Sequence, residues 1–326
     1  GHLGRVHLKC ILLSEKYELV GAFDPSSAAV EKAKEDYNFK AYQSAETLME
    51  DCELVDIVVP TTAHYALAKK ALNSGLHIFI EKPVTNTSQE ARELKDLAEE
   101  KGLKIQVGHV ERFNPAFLAL NQLNFKPAFI EGHRLAFFNP RGTDVSVVYD
   151  LMIHDLDIVL SLVNSKVQDV HANGVSIVSK QPDICNARIH FENGAVANLT
   201  ASRISMKNMR KLRLFQPNAY ISMDFLEKTS EIIELKESDD LSDQEKEQMM
   251  KLDLPDNEKY ISVQSPEIKG VNAILMELDS LADAIHQNVD PLVSIADGMH
   301  ALRLAEQISQ KIDENNDAYS KALISN

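Results

Sequence analysis

The chain has 326 residues, 44% of them hydrophobic and 25% charged. That is enough apolar material for a sizeable core, which excludes disorder over most of its length and suggests two domains. Its 34 basic against 49 acidic residues give a net charge of −15, which repels nucleic acid and anionic membrane on average, so any anionic ligand needs a local basic pocket.

No apolar run approaches the ~18 residues of a membrane span, and no secretory segment opens the chain. The three cysteines, Cys10, Cys52 and Cys185, are far apart and form no CxxC. That argues against a disulfide framework or a structural zinc site and points to a reducing cytoplasm.

In chain order, residues 18–23 read as a strand ending at Asp24-Pro25, and 27–37 as a helix with Ser26 or Ser27 as N-cap. Residues 54–59, a β-branched run, suit a strand buried on both faces of a parallel sheet. A helix follows at 64–73 and a strand at 77–80, closed by Glu81-Lys82-Pro83. Then come a helix at 88–101 ending on Gly102 and a strand at 104–107. This alternation predicts βαβ units, a Rossmann-type doubly wound parallel sheet. After Phe113 the rhythm changes. Strands are expected at 127–138, 167–179, 184–191, 195–203 and 211–215, with a helix at 147–163 and turns at Glu192-Asn193-Gly194 and Pro217-Asn218. These give an α+β domain with a mostly antiparallel open sheet. Residues 231–247 hold eight acids and two lysines and read as a solvated edge or loop. Residues 272–312 return to helical periodicity, broken at Asp290-Pro291. The expected domains are 1–114 and 115–326, the last helices packing back on the first.

The chain opens with Gly1 and Gly4 at G-x-x-G spacing, running into a helical pattern. A dinucleotide fingerprint is G-x-G-x-x-G after a strand, with an acid about 20 residues on that takes the ribose hydroxyl. Gly1 and Gly4 fill its second and third glycine places. In those roles Gly1 admits backbone to the pyrophosphate, Gly4 lets helix pack on strand, and the helix N-terminus holds negative charge. Asp24 is the acid, and it disfavours a 2′-phosphate, hence NAD over NADP. A preceding strand and first glycine are expected in the intact protein; an intact mass of 36.4 kDa would contradict this.

Lys82 follows a strand at the carboxyl edge of the sheet, where open α/β folds bind ligands. There it is a candidate base or donor to a substrate oxygen; alternatively Glu81 and Lys82 are an exposed pair. Asp150 and His154, at i, i+4 on a helix, share one face, and the carboxylate would raise the basicity of the imidazole. The bland alternative is a helix carboxylate and a core histidine. His154, Asp155 and Asp157 do not share a face, so no metal is expected. Residues 108–115 cross between the domains, which by topology puts Arg112 and Asn114 in the cleft; otherwise Glu111 and Arg112 simply pair. Arg203, Lys207, Arg210, Lys211 and Arg213 are five bases in eleven residues with no acid among them. They suit a phosphorylated or nucleotide-activated substrate, or form an ordinary basic surface. The candidate cofactor contacts are Gly1, His2, Leu3, Gly4, Asp24, Pro60, Thr61, His64, Glu81, Lys82 and Arg112. The candidate substrate contacts are Asn114, Asp150, His154, Arg203, Lys207, Arg210 and Lys211.

With "EKP", "VGHVERFNPA", "PRGTDVSVVYDLMIHDLDI", "SRISMKNMRKLRLFQPNAYIS" and "DPLVSIADGMHALRLAEQI", the sequence resembles the Gfo/Idh/MocA family of NAD(P)-dependent oxidoreductases over essentially its full length. Within it the likeness is greatest to the branch that oxidises carbon 3 of a UDP-linked N-acetylamino sugar. The resemblance implies Lys82 in the active site, Asp150 and His154 as a substrate-binding and acid/base pair, a small-molecule nucleotide sugar as substrate, and homodimers or homotetramers. The alternatives are a dehydrogenase of free monosaccharide or inositol, and a non-catalytic dinucleotide-binding regulator.

Overall fold

The computed structural model describes residues 1–140, 145–253 and 258–324. Along the chain the first elements are α1 (His2–Leu13), α2 (Ser27–Asp36), α3 (Ala45–Met49), β1 (Leu54–Ile57), α4 (His64–Asn73), β2 (His77–Glu81), α5 (Ser88–Lys101) and β3 (Ile105–Gly108). Next come α6 (Pro115–Leu118), β4 (Phe129–Leu135), a π-helical turn (Val148–Met152) leading into α7 (Ile153–Val163), and then β5 (Val167–Val175), β6 (Ile184–Phe191), β7 (Val196–Ser202) and β8 (Met209–Gln216). The chain continues through β9 (Ala219–Asp224), β10 (Thr229–Glu237), α8 (Asp243–Glu247), β11 (Met250–Asp253) and β12 (Glu258–Gln264) to α9 (Ala273–Gln287) and α10 (Ile295–Ile324). Two compact units result: Gly1–Phe113 with Val271–Arg303, and Asn114–Gly270 with the residues from Leu304 onward.

In the first unit β1, β2 and β3 pair in parallel in that order. β3 is buried along its whole length and β2 from Ile78 onward, as apolar runs covered on both faces must be. Local chemistry sets the helix ends. Ser26 caps α2, and Thr87 and Glu90 form a capping box on α5, which Gly102 closes in the left-handed region at φ 66°. Cys10, Phe79, Leu278 and Leu281 make a core between α1, β2 and α9.

In the segment expected as a strand at 18–23, Ala22 bridges Ala41 in parallel, its N–H donating to the Lys40 carbonyl and its carbonyl accepting from Tyr42 N–H. Gly21 permits that approach, since a Cβ there would sit 2.4 Å from the Lys40 oxygen.

The second unit is a nine-stranded sheet in the order β11-β12-β10-β9-β8-β4-β7-β6-β5, antiparallel except where β4 and β7 run together. Ile130, Leu199, Leu212 and Leu214 share a core with Leu156, Val159 and Leu304. Residues 229–237 correct the expected solvated loop: they form β10, paired on both sides, and α8 follows. The acids conceal an alternation in which Glu231 is exposed and Ile232 buried.

Candidate active site

The expected dinucleotide contacts lie in the first unit. Asp24 Oδ1 accepts the Ser26 N–H at 2.9 Å. Gly1 stands at the N-cap of α1 and offers no side chain to its first turn. His2 and Leu3 are exposed on that turn. Gly4 follows on the same helix, partly exposed.

Pro60 and Thr61 form the short turn before α4. His64 departs from the cofactor set. It is 1% exposed, with Nδ1 and Nε2 each 2.9 Å from a main-chain carbonyl, of Pro83 and Val59 respectively. Its ring ties two loops together instead of facing a ligand. Glu81 also turns inward: Oε1 lies 3.2 Å from His7 Nε2, and Oε2 accepts the Lys82 N–H at 3.1 Å. Lys82 itself is partly exposed and precedes a cis Pro83. Arg112 lies 4.0 Å from Asp297. His7, Asp56 and Glu277 join Glu81 in one buried group, which sequence reasoning missed. The available signal was polarity out of place: Asp56 inside "LVDIVV", and Glu277 inside the apolar stripe of α9.

The second unit carries Asp150 and His154, both partly exposed. Asp150 lies in the π-helical turn and His154 in the first turn of α7, so the regular i, i+4 spacing is widened at this point. Such insertions collect at functional sites. Their surroundings are fixed by charge. Arg134 of β4 holds Asp155 through Nε and Nη2 at 2.7–3.1 Å, both side chains being buried. Upstream of the turn, Val147 N–H donates to the Pro182 carbonyl, and Arg203 donates to that of Val145. Asp183 Oδ2 accepts the N–H groups of Ile177, Val178 and Ser179. Burial alone would raise the Asp183 carboxyl, but these donors win and hold it down at about 2. Residues 141–144 of the stretch before the turn lie outside the described residues.

The five-base run is corrected by its cross-strand neighbours. Arg203 is buried 3.8 Å from Asp183, Lys211 lies 3.0 Å from Asp224, and Arg213 Nη1 donates to Glu131 at 2.9 Å. Alternation along β8 then puts Arg210 on the face of Leu212 and Leu214, and Lys211 on the opposite face. Arg210 and Lys211 cannot grip one diphosphate together. Lys207 is exposed. Asn114 caps α6 by accepting the Ala116 N–H and donates to the Phe225 carbonyl at 3.0 Å.

Residues 1–109 match the Gfo/Idh/MocA oxidoreductase family with its NAD-binding Rossmann fold, and residues 122–221 match the Gfo/Idh/MocA C-terminal domain. The UDP-N-acetylglucosamine 3-dehydrogenase of Acidithiobacillus ferrooxidans is 39% identical over 237 residues, covering 71% of this chain and 74% of that protein. The chain belongs to the Gfo/Idh/MocA family. As a member it is an oxidoreductase with a dinucleotide-binding Rossmann unit and a mixed, mostly antiparallel second sheet.

A solved structure of the Acidithiobacillus enzyme superposes with a TM-score of 0.85 at 31% identity, covering 96% of this chain and 95% of that one. The scyllo-inositol 2-dehydrogenase of Bacillus subtilis is a further family relative, 28% identical over 63% of this chain and 66% of its own. An oxidoreductase domain protein from Kribbella flavida shares the fold at 18% identity, with a TM-score of 0.82 over 96% and 95% of the two chains. No described helix is long and apolar enough to cross a membrane.

Proposed function

We propose that the chain is an NAD-dependent dehydrogenase that oxidises the ring hydroxyl on carbon 3 of a UDP-linked N-acetylamino sugar. The observation that carries this reading is the 39% identity to a UDP-N-acetylglucosamine 3-dehydrogenase. The E-K-P lysine and the D-x-x-x-H pair, at Lys82, Asp150 and His154, support it. The residues present fit a dinucleotide: Gly1, at the N-cap of α1, puts no side chain over the first turn, and Asp24 follows at the fingerprint spacing. In this reading the N–H groups of α1 take the pyrophosphate. Asp24 accepts the ribose hydroxyls and repels a 2′-phosphate, which selects NAD over NADP.

When bound, NAD accepts the hydride that leaves the carbon bearing the hydroxyl. The hydroxyl oxygen gives its proton to one of two bases of this chain, Lys82 or His154, and the alcohol becomes a ketone. Asp150 binds the sugar and stabilises the charged form of the imidazole. Orienting both reactants supplies most of the advantage. The enzyme acts as a homodimer or homotetramer in the cytoplasm; its three cysteines are all free thiols, as a reducing compartment keeps them.

A second reading, oxidation of a free monosaccharide or inositol, is favoured by one observation: acids lie beside Arg203, Lys211 and Arg213, which weakens the basic run as a diphosphate grip. A thermal-shift screen separates the two, because a ligand of the native state raises the melting temperature. With NAD present, UDP-N-acetylglucosamine should raise it further, while free N-acetylglucosamine and inositol leave it unchanged. The opposite ranking would replace the first reading with the second.

A further inference from the structure

Four ionisable side chains from α1, β1, β2 and α9 converge inside the first unit. His7 is 1% exposed, with Nδ1 2.9 Å from Asp56 Oδ2 and Nε2 3.2 Å from Glu81 Oε1. Glu277 is fully buried, and one of its oxygens, a Glu81 oxygen and a His7 ring nitrogen lie within 4.8 Å of one another. Among the described residues neither Glu277 carboxyl oxygen has a hydrogen-bond partner. Close by, Gln106 donates to the Glu277 main-chain carbonyl, and Tyr17 to that of Leu278. Phe79 meets the His7 ring edge-on at 5.6 Å.

Charge arithmetic limits what this group can be. Three carboxylates around a neutral imidazole would place three negative charges where water is largely excluded, which costs several kcal/mol per ion. A proton on the imidazole and another on Glu277 reduce this to one net negative charge, shared between Asp56 and Glu81, whose side chains are less buried than that of His7. We infer that His7, as an imidazolium, and Glu277, as a neutral carboxylic acid, are positioning residues that lock Glu81 and, through its bond to the Lys82 N–H, the turn that presents Lys82. This rests on the reading of Lys82 given above.

Titration agrees with the geometry. Burial pushes the Glu277 carboxyl well above the usual range, Glu81 and Asp56 add to it, and His7 opposes it. Burial alone would lower His7, but the bonds and charges of Asp56 and Glu81 outweigh it and raise the imidazole to about 10. A divalent cation would also find donors in His7, Glu81 and Glu277, with Asp56 behind the imidazole; it is the competing occupant.

The test uses the full chain and three measurements. Infrared spectroscopy at neutral pH should show a protonated-carboxyl stretch that vanishes in Glu277→Gln. Elemental analysis should find no stoichiometric divalent metal. The rate at which an amine-selective reagent labels Lys82, read by mass spectrometry, should change about tenfold or more in Glu277→Ala and stay within about twofold of wild type in the isosteric Glu277→Gln, with kcat for sugar oxidation following the same order.

No protonated-carboxyl band, or one tightly held metal per chain, overturns the inference. So does an unchanged Lys82 labelling rate in Glu277→Ala. If no sugar is oxidised at all, the catalytic reading of Lys82 fails on its own, while the band, the metal content and the labelling rate still decide the positioning role.

Discussion

Lys82 and His154 carry separate parts of the proposed chemistry, and each can be removed alone. Lys82→Ala and His154→Ala should each lower turnover ~10²- to 10⁴-fold while calorimetry shows NAD still bound; near-normal turnover in both would remove them from the mechanism. Arg210→Glu should weaken a UDP-sugar and spare a free sugar. Lys211→Glu should do less, because Lys211 lies on the other face of β8 beside Asp224.

The pH dependence of folding also has a residue-level sign. His7 is raised to about 10, so its contribution is complete below the ordinary imidazole value of 6.5 and is lost as pH rises through the folded value. The melting temperature of the wild type should therefore fall more steeply between pH 7 and pH 10 than that of His7→Gln, and parallel curves would contradict the charged imidazole. Some of this scale was legible from residue type, as with Lys82 directly after a strand. The rest was hidden because a count along the chain does not see across a sheet. Five bases read as a focused patch until Asp183, Asp224 and Glu131 lay beside three of them.

At the scale of elements, the sequence pattern placed the end of α5 at Gly102, while the Thr87 and Glu90 capping box at its start was not read. Strands were expected over β4 to β8 and overlooked in β10, where Glu231 and its neighbouring acids masked the buried Ile232. The π-helical turn was out of reach, because its cause is remote. Arg203 and Pro182 anchor the main chain at Val145 and Val147, just before the turn, and Asp183 fixes the loop that carries Pro182. Asp183→Ala leaves Arg203 as a buried charge without its carboxylate and should cost about 3–5 kcal/mol in urea denaturation. A loss below about 1 kcal/mol, the range of exposed ion pairs, would show that the pair does not anchor the turn.

At the scale of the molecule, βαβ alternation followed by consecutive strands indicated both sheets before any coordinates. Helical periodicity over 272–312 could not say what each helix covers. Leu278 and Leu281 pack with Cys10 and Phe79 in the first unit, whereas Leu304 and Ile308 belong to the core of the second. The family fixes the reaction class, and the proposed substrate fixes the atom that moves. The most direct test follows that atom. UDP-N-acetylglucosamine carrying deuterium at carbon 3 is incubated with the protein and NAD, and the nicotinamide product is weighed by mass spectrometry. The account predicts reduced NAD heavier by one deuterium; unlabelled reduced NAD, or none, would contradict it.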